Sequence, residues 1–207
     1  AAGNSLADIA ELTAFAHFYR AKVYVALNTL LTDAELPQAC ALAFELARAG
    51  ADALIVQDMG LVYSLMQYTL DLPGHRFPLP LHASTQMDNR TAGKAAFLQA
   101  CGMEQVVLAR ELSLEEIGAI HRQCPTLRLE AFVHGALCVS YSGQCYISQY
   151  LFKRSANKGR CAQACRLTYD LIDARGEAIA RNRALLSLKD LNQSDRIEAL
   201  LEAGVTS

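Results

Sequence analysis

One pattern repeats along the first 135 residues: a helical run ends on small residues, and a short β-rich run follows. Helices are predicted at 5–19, 33–49, 60–69, 88–100 and 113–123. The strands after them are KVYVALN (22–28), DALIVQD (52–58), PLHAST (80–85), QVVLAR (105–110) and LRLEAFVHG (127–135). Gly50 and Gly102 stand just past two of the helices, where glycine forms the left-handed cap, and Asn4, Thr32, Asp33 and Ser113 suit N-caps. Strands alternating with helices in this rhythm predict a parallel sheet with crossover helices. An open nucleotide-binding sheet would carry G-x-G-x-x-G after its first strand, and the sequence has none there. The strands end instead in Asn28, Gln57 and Asp58, Ser84 to Gln86, Arg110 and Glu111, and His134. Polar groups at successive strand tips are what a barrel mouth requires, so the expected fold is α/β, a partial (β/α)8 TIM-type barrel.

Five strands are visible where a closed barrel has eight, and EAGVTS (202–207) reads as the start of another strand. A fragment lacking strands at both ends is therefore expected. After residue 135 the repeat breaks. Three segments are predicted: a βα-repeat part at 1–135, a cysteine-rich insertion at 136–168, and a returning part at 169–207. The last holds a hairpin (169–180, turning near Arg175 and Gly176) and a helix near 189–203.

Bulk charge excludes little, but its distribution matters. The formal net charge is −2, which gives no general affinity for nucleic acid. Between 131 and 169, however, there is no acidic residue, whereas Lys153, Arg154, Lys158, Arg160 and Arg166 all fall there. That segment is +5 and the remainder −7, so a local anion-binding face is expected. No apolar run is long enough to span a membrane, and seven cysteines without an export signal point to a reducing, cytoplasmic setting.

Four of the seven cysteines, Cys138, Cys145, Cys161 and Cys165, crowd into 28 residues with the spacing C-x6-C-x15-C-x3-C. Zinc ribbons favour C-x2–4-C pairs, which the first pair does not match. A radical S-adenosylmethionine site needs C-x3-C-x2-C, and Thr168 stands at its third position. A 4Fe–4S cluster tolerates irregular spacing provided four thiolates converge. Cys161 and Cys165, at i and i+4, would share a face if they lie on a short helix. The competing reading is four small, inert, buried cysteines, the reading preferred for Cys40, Cys101 and Cys124. The cations serve equally well to offset a thiolate-bound cluster or to hold an anionic substrate.

The runs EAFVHGALCVSYSGQCYIS (130–148) and RSANKGRCAQACR (154–166), with LNTLL, IVQD, LHASTQM and LSLKDL elsewhere, resemble the signature of the peptidase U32 family, the collagenase-like proteases. The resemblance covers essentially the whole chain and is strongest to the branch that hydroxylates a cytidine of 23S ribosomal RNA. It implies oxygen-independent RNA hydroxylation on a barrel with a 4Fe–4S cluster, linked to prephenate as a co-substrate. Electron-donor or iron–sulfur assembly partners are implied as well. Sibling branches hydroxylate a tRNA uridine or a ubiquinone precursor. Cys138, Cys145 and Cys161 match ligand positions, and Cys165 is the nearest fourth thiolate.

Beside the cysteines, Glu130, Phe132 and His134 would share one strand face, which makes His134 and Glu130 candidates for proton transfer. Asp58 is either a base or a helix N-cap. His82 reads as structural. Asn28, Gln57, Ser84 and Gln86 are expected to contact substrate at the mouth. Tyr141, Tyr146, Tyr150 and Phe152 interleave with the cations and suit stacking on bases. Arg154, Lys158, Arg160 and Arg166 are expected to hold phosphates or a small dicarboxylate. Two other readings stay open: a metal-assisted peptidase, for which G-x-S-x-G and H-E-x-x-H are both missing, and a zinc-stapled RNA-binding module.

Overall fold

The computed structural model describes residues 3–71 and 77–207. The predicted rhythm is present. In order come α1 (Leu6–Phe18), β1 (Tyr24–Leu27), α2 (Leu36–Arg48), β2 (Ala53–Val56), α3 (Met59–Asp71) and β3 (Leu81–Ala83). They are followed by α4 (Ala92–Ala100), β4 (Met103–Val107), α5 (Leu114–Gln123) and β5 (Arg128–Glu130). Ser5 and Ser113 close α1 and α5 with reciprocal capping boxes, whereas Glu35, the N-cap of α2, makes no side-chain cap. Thus Ser5 takes the place expected of Asn4. Thr32 and Asp33 lie ahead of the helix, with Thr32 bonded to Glu35. Residues 72–76 lie outside the described residues.

The five strands form one parallel sheet in the order β1-β2-β3-β4-β5. A strand order without reversal has no switch point, so right-handed crossovers carry all the helices to one face. Packing bears this out. Leu54, Val56, Leu81, Ala83, Val106 and Leu129 share one register face and one core. Ala43 and Leu46 of α2, Leu61 and Leu65 of α3, Leu98 of α4, and Ile117 and Ile120 of α5 pack in that same core. At the far edge, Val205 bridges Leu129 in parallel, and Thr206 N donates to Leu129 O at 2.8 Å. The expected strand at 202–207 is thus represented by a short parallel extension beside β5.

The opposite face of the sheet carries polar groups on β3 to β5. Ala26, Ile55, His82, Gln105 and Arg128 are register partners across β1 to β5. His82 is fully buried between the Tyr24 ring (centroids 4.7 Å apart, edge-on) and Arg128, whose NH2 donates to His82 Nε2 at 3.3 Å. Gln105, also fully buried, donates to Glu130. Parallel sheets normally bury both faces.

Burial first, then the charges of Arg128 and Lys22, hold the His82 imidazole down at about 4. Its folded-state value lies below the ordinary 6.5, so above that pH it contributes nothing to pH dependence. As pH falls from 6.5 towards 4, the unfolded chain takes up the proton and the folded chain does not, so stability drops. The expected loss between pH 7.5 and pH 5 is about 2 kcal/mol. His82→Asn should flatten the slope when urea midpoints are compared at the two pH values. Parallel profiles for the two proteins would refute the assignment.

Beyond β5 the structure departs from the predicted single strand over 127–135. Strand β5 stops at Glu130, and His134–Gly135 form a separate element, β6, paired antiparallel with β9 (Leu191–Asn192). The insertion carries a short helix, α6 (Ile147–Phe152), and β7 (Tyr169–Ile172) pairs with β8 (Ala178–Arg183) as the expected hairpin. The last helix, α7 (Ile197–Glu202), is shorter than predicted because β9 and a 3-10 turn at Ser194–Arg196 occupy its first residues.

Candidate active site

The cysteine-rich segment lies across the carboxyl ends of the strands and is tied to three of the loops there. At the β1 loop, Leu30 N donates to Asn157 O (2.9 Å), and Lys158 Nζ donates to Glu35 Oε2 (2.8 Å). Lys158, then the Thr32 amide and hydroxyl, hold the Glu35 carboxyl down at about 2. At the β3 loop, Gln144 Nε2 donates to Asp88 Oδ2 (2.7 Å), and the Arg90 guanidinium lies 4.3 Å from the Tyr141 ring centre. At the β4 loop, Ser142 N donates to Glu111 Oε1 (2.9 Å) and Ser142 Oγ to Glu111 Oε2 (3.3 Å). The closest approach is backbone on backbone. A Cβ on Gly143 would fall 1.8 Å from Gln86 O, and its φ is +77°.

Strand tips supply a linked polar set. Asn28 Nδ2 donates to Ser84 Oγ (3.2 Å), which also accepts from Gln86 N (3.3 Å). Gln57 Nε2 reaches Gln86 O at 3.4 Å, and the side-chain oxygens of Gln57 and Gln86 are buried without a protein partner. Asn28, Gln57, Ser84 and Gln86 therefore come together as expected. Asn89, which sequence reasoning missed, clamps the tips of β3 and β4. Its buried Nδ2 donates to Ser84 O and Val107 O, both at 2.8 Å.

The proton-transfer candidates do not converge. Asp58 accepts from Leu61 N (3.0 Å) and Leu31 N (3.0 Å). It is thus an N-cap for α3 and a tie to the β1 loop, so of its two readings the cap is the one the geometry shows. Glu130 accepts from Gln105 on the polar sheet face. His134 is exposed, past the non-strand residues 131–133, so the common strand face expected for Glu130, Phe132 and His134 does not form. The cause is the β6–β9 pairing, which turns His134 towards Asn192.

Around the cysteines, the predicted helix holding Cys161 and Cys165 is replaced by a 3-10 turn at Ala164–Arg166, entered through Gln163 in the left-handed region (φ +54°). Cys161 Sγ nevertheless accepts from Gln163 N (3.3 Å) and lies 3.8 Å from the buried Ser148 Oγ. Burial, then the neighbouring Cys138 thiol, and more weakly Cys161, push the Cys165 thiol up, while Arg166 pulls it down. Cys138 and Cys161 thus each stand within electrostatic reach of Cys165. Cys145, half-buried, is not among the groups that move Cys165. All seven cysteines are free thiols.

Among the described residues, no three His, Cys, Asp or Glu side chains stand close enough to hold a single metal ion. A cubane makes a different demand: each cysteine ligates a separate iron, so its sulfurs sit further apart than the ligands of one ion. A Cys165 thiol that feels two neighbouring thiols, one of which receives N–H···S donation, fits part of that donor set.

Two of the four cations expected to hold an anion are committed elsewhere. Lys158 is spent on Glu35. Arg166 donates to Leu137 O (3.0 Å), Ser187 Oγ (2.8 Å) and Leu188 O (2.8 Å), pinning the returning segment under the cysteines. Arg154 and Arg160 are exposed and carry no such partner among the described residues. Tyr141, Tyr146 and Tyr150 are well exposed (56%, 65% and 79%), as stacking would require.

A sequentially wound α/β sheet with a cysteine-rich segment over its carboxyl end defines the class of molecule. The model of peptidase family U32 matches residues 1–207, and the chain belongs to that family. Over 206 residues the chain is 53% identical to the 23S rRNA 5-hydroxycytidine C2501 synthase of Escherichia coli strain K12, covering all of this chain and 30% of that protein. It is 37% identical over 165 residues to tRNA hydroxylation protein P of the same strain, covering 79% of this chain and 35% of that protein. The chain thus spans about a third of the length of these two curated relatives. The solved structure of the U32 peptidase Mk0906 superposes with a TM-score of 0.56 at 15% identity, over 88% of this chain and 73% of that one, a likeness of fold.

Proposed function

We propose that this chain is the cysteine-bearing part of an RNA hydroxylase that acts on a cytidine of 23S ribosomal RNA without molecular oxygen. One observation carries the reading: the segment most specific to the sequence, with its four thiols, is bolted over the strand tips by contacts to three separate loops. The 53% identity to a 23S rRNA 5-hydroxycytidine synthase supports the choice of substrate. Buried amide oxygens of Gln57 and Gln86 without a protein partner support a polar ligand at the same place.

Cys138, Cys145, Cys161 and Cys165 would hold the 4Fe–4S cluster, which when bound supplies one-electron transfer. Converting a base C–H to C–OH removes two electrons and adds one oxygen atom. Without molecular oxygen, that atom comes from water, with the two electrons passed to an acceptor, or from a small co-substrate that is itself reduced, for which prephenate is the candidate. This chain's own residues position the base: Asn28, Ser84 and Gln86 through hydrogen bonds, the exposed tyrosines by stacking, and Arg154 and Arg160 through phosphates. The sheet itself fits part of a closed (β/α)8 barrel. Its strand order has no reversal, its helix-free face carries His82, Gln105 and Arg128, and Val205 continues the winding beside β5. No helix among the described residues is long and apolar enough to cross a membrane, and seven free cysteines suit the cytoplasm, where electron donors and cluster-assembly proteins would be partners.

Ribosomal RNA from a strain lacking the gene, digested and examined by mass spectrometry, should lack one hydroxylated cytidine, and a plasmid copy should restore it. Unchanged ribosomal RNA, with hydroxylation lost from tRNA instead, would move the activity to the sibling substrate. The peptidase reading draws nothing from the cysteines here: no hydrogen bond joins His134 to Cys138 among the described residues, and His134 is exposed.

A further inference from the structure

Arg110, in the turn that follows β4, is a cation held in place without a counter-charge. Its guanidinium lies on the Phe132 ring, with Cζ 3.8 Å from the ring centre. Stacking fixes the plane of the group but consumes none of its five N–H donors. Other cations near the strand tips are answered by the protein: Lys158 by Glu35, Arg166 by two carbonyls and a hydroxyl, Arg90 by Asp88. Arg110 makes no hydrogen bond or ion pair among the described residues.

Beside it lies a cavity of about 140 Å³, lined by Arg110 together with Cys138, Ser140 and Ser142. The volume is well below the roughly 300 Å³ at which sites for drug-sized ligands begin, so it suits a group of a few atoms and not a whole nucleotide. Glu111 also borders the cavity and would oppose an anion, but its two carboxylate oxygens accept from Ser142 N and Ser142 Oγ. A planar, pre-oriented fork of donors next to a pocket of this size matches a carboxylate, which it can grip with two parallel hydrogen bonds.

We infer that Arg110 is the carboxylate-binding residue of this site, taking one carboxylate of a small acid beside Cys138. The inference deepens the proposed function and rests on it only in supposing that the site takes a small co-substrate. It assigns that role to a residue outside the basic insertion, in the turn after β4.

The test uses full-length protein, purified anaerobically and titrated calorimetrically with prephenate and, separately, with inorganic phosphate. Arg110→Gln should weaken prephenate binding by about ten- to a hundred-fold, the range for losing a charge-assisted bidentate pair, with iron content and RNA affinity unchanged. Arg110→Lys, which keeps the charge but loses the fork, should bind with intermediate affinity. Phe132→Leu, which frees the guanidinium plane, should also weaken binding, and it serves if the Arg110 variants fail to fold. Unchanged prephenate affinity in these variants overturns the inference. So does an Arg110-dependent affinity for phosphate or RNA alone, or loss of iron on replacing Arg110. Wild-type protein that binds no prephenate while its gene is still needed for ribosomal RNA hydroxylation would sink this inference and leave the proposed function standing. Prephenate binding with unaltered ribosomal RNA in the deletion strain would do the reverse.

Discussion

Gly143→Ala should release the cysteine-rich segment from the sheet while leaving the βα core folded. The new methyl would have to occupy space 1.8 Å from Gln86 O and 2.7 Å from its carbonyl carbon, both backbone atoms that cannot rotate aside. The residue would also have to hold φ at +77°, a conformation costly to any side chain with a Cβ. Overlap and strain together should cost on the order of 3–5 kcal/mol of docking free energy. Hydrogen exchange should then accelerate across 136–168 but not in the strands. Gly176→Ala is the matched control. Its φ is +86°, yet nothing lies within 4 Å of the added carbon, so it should cost only about 1–2 kcal/mol, confined to the hairpin turn. Equal effects of the two substitutions would show that the contact with Gln86 matters less than the turn conformation.

Cys161→Ser should abolish hydroxylation of ribosomal RNA, by at least about a hundred-fold, and strip most of the iron from full-length protein. The sulfur at 161 is the one that receives the Gln163 amide and lies beside Ser148 Oγ, and it is within electrostatic reach of Cys165. Ser148→Ala should have a smaller effect of the same kind, because Ser148 Oγ also accepts from Ala162 N (3.0 Å) and shapes the loop that presents Cys161. Cys40→Ser should leave iron content and activity alone, since Cys40 packs against the core from α2. Retained iron in Cys161→Ser protein, or loss of iron in Cys40→Ser protein, would mean that the metal is held elsewhere.

How far the sequence could be read depended on whether a signal was local. The helix-then-strand rhythm is a local periodicity, and it located all five strands of the sheet within a few residues. Strand tips followed from it, which is why Asn28, Gln57, Ser84 and Gln86 were found together. Contacts between distant segments left no such trace. Glu35 capturing Lys158, Glu111 capturing the Ser142 amide, and Asn89 bridging β3 and β4 are each set by tertiary approach. The failure at 127–135 has the same origin. The run LRLEAFVHG is apolar and β-rich throughout, but pairing with Leu191–Asn192 splits it and turns His134 outward. Arg166 shows the limit of composition as evidence: the basic stretch suggested an anion site, yet this residue is consumed by carbonyls of the chain itself.

The account stands on one inorganic centre being shared by sulfurs of the insertion at the carboxyl end of the sheet. Iron and acid-labile sulfide, assayed on anaerobically purified full-length protein, test it most directly. About four of each per chain, with a visible charge-transfer band that bleaches on reduction, is the predicted result. Colourless protein carrying stoichiometric zinc, or metal-free protein that still hydroxylates ribosomal RNA at the full rate, would contradict it.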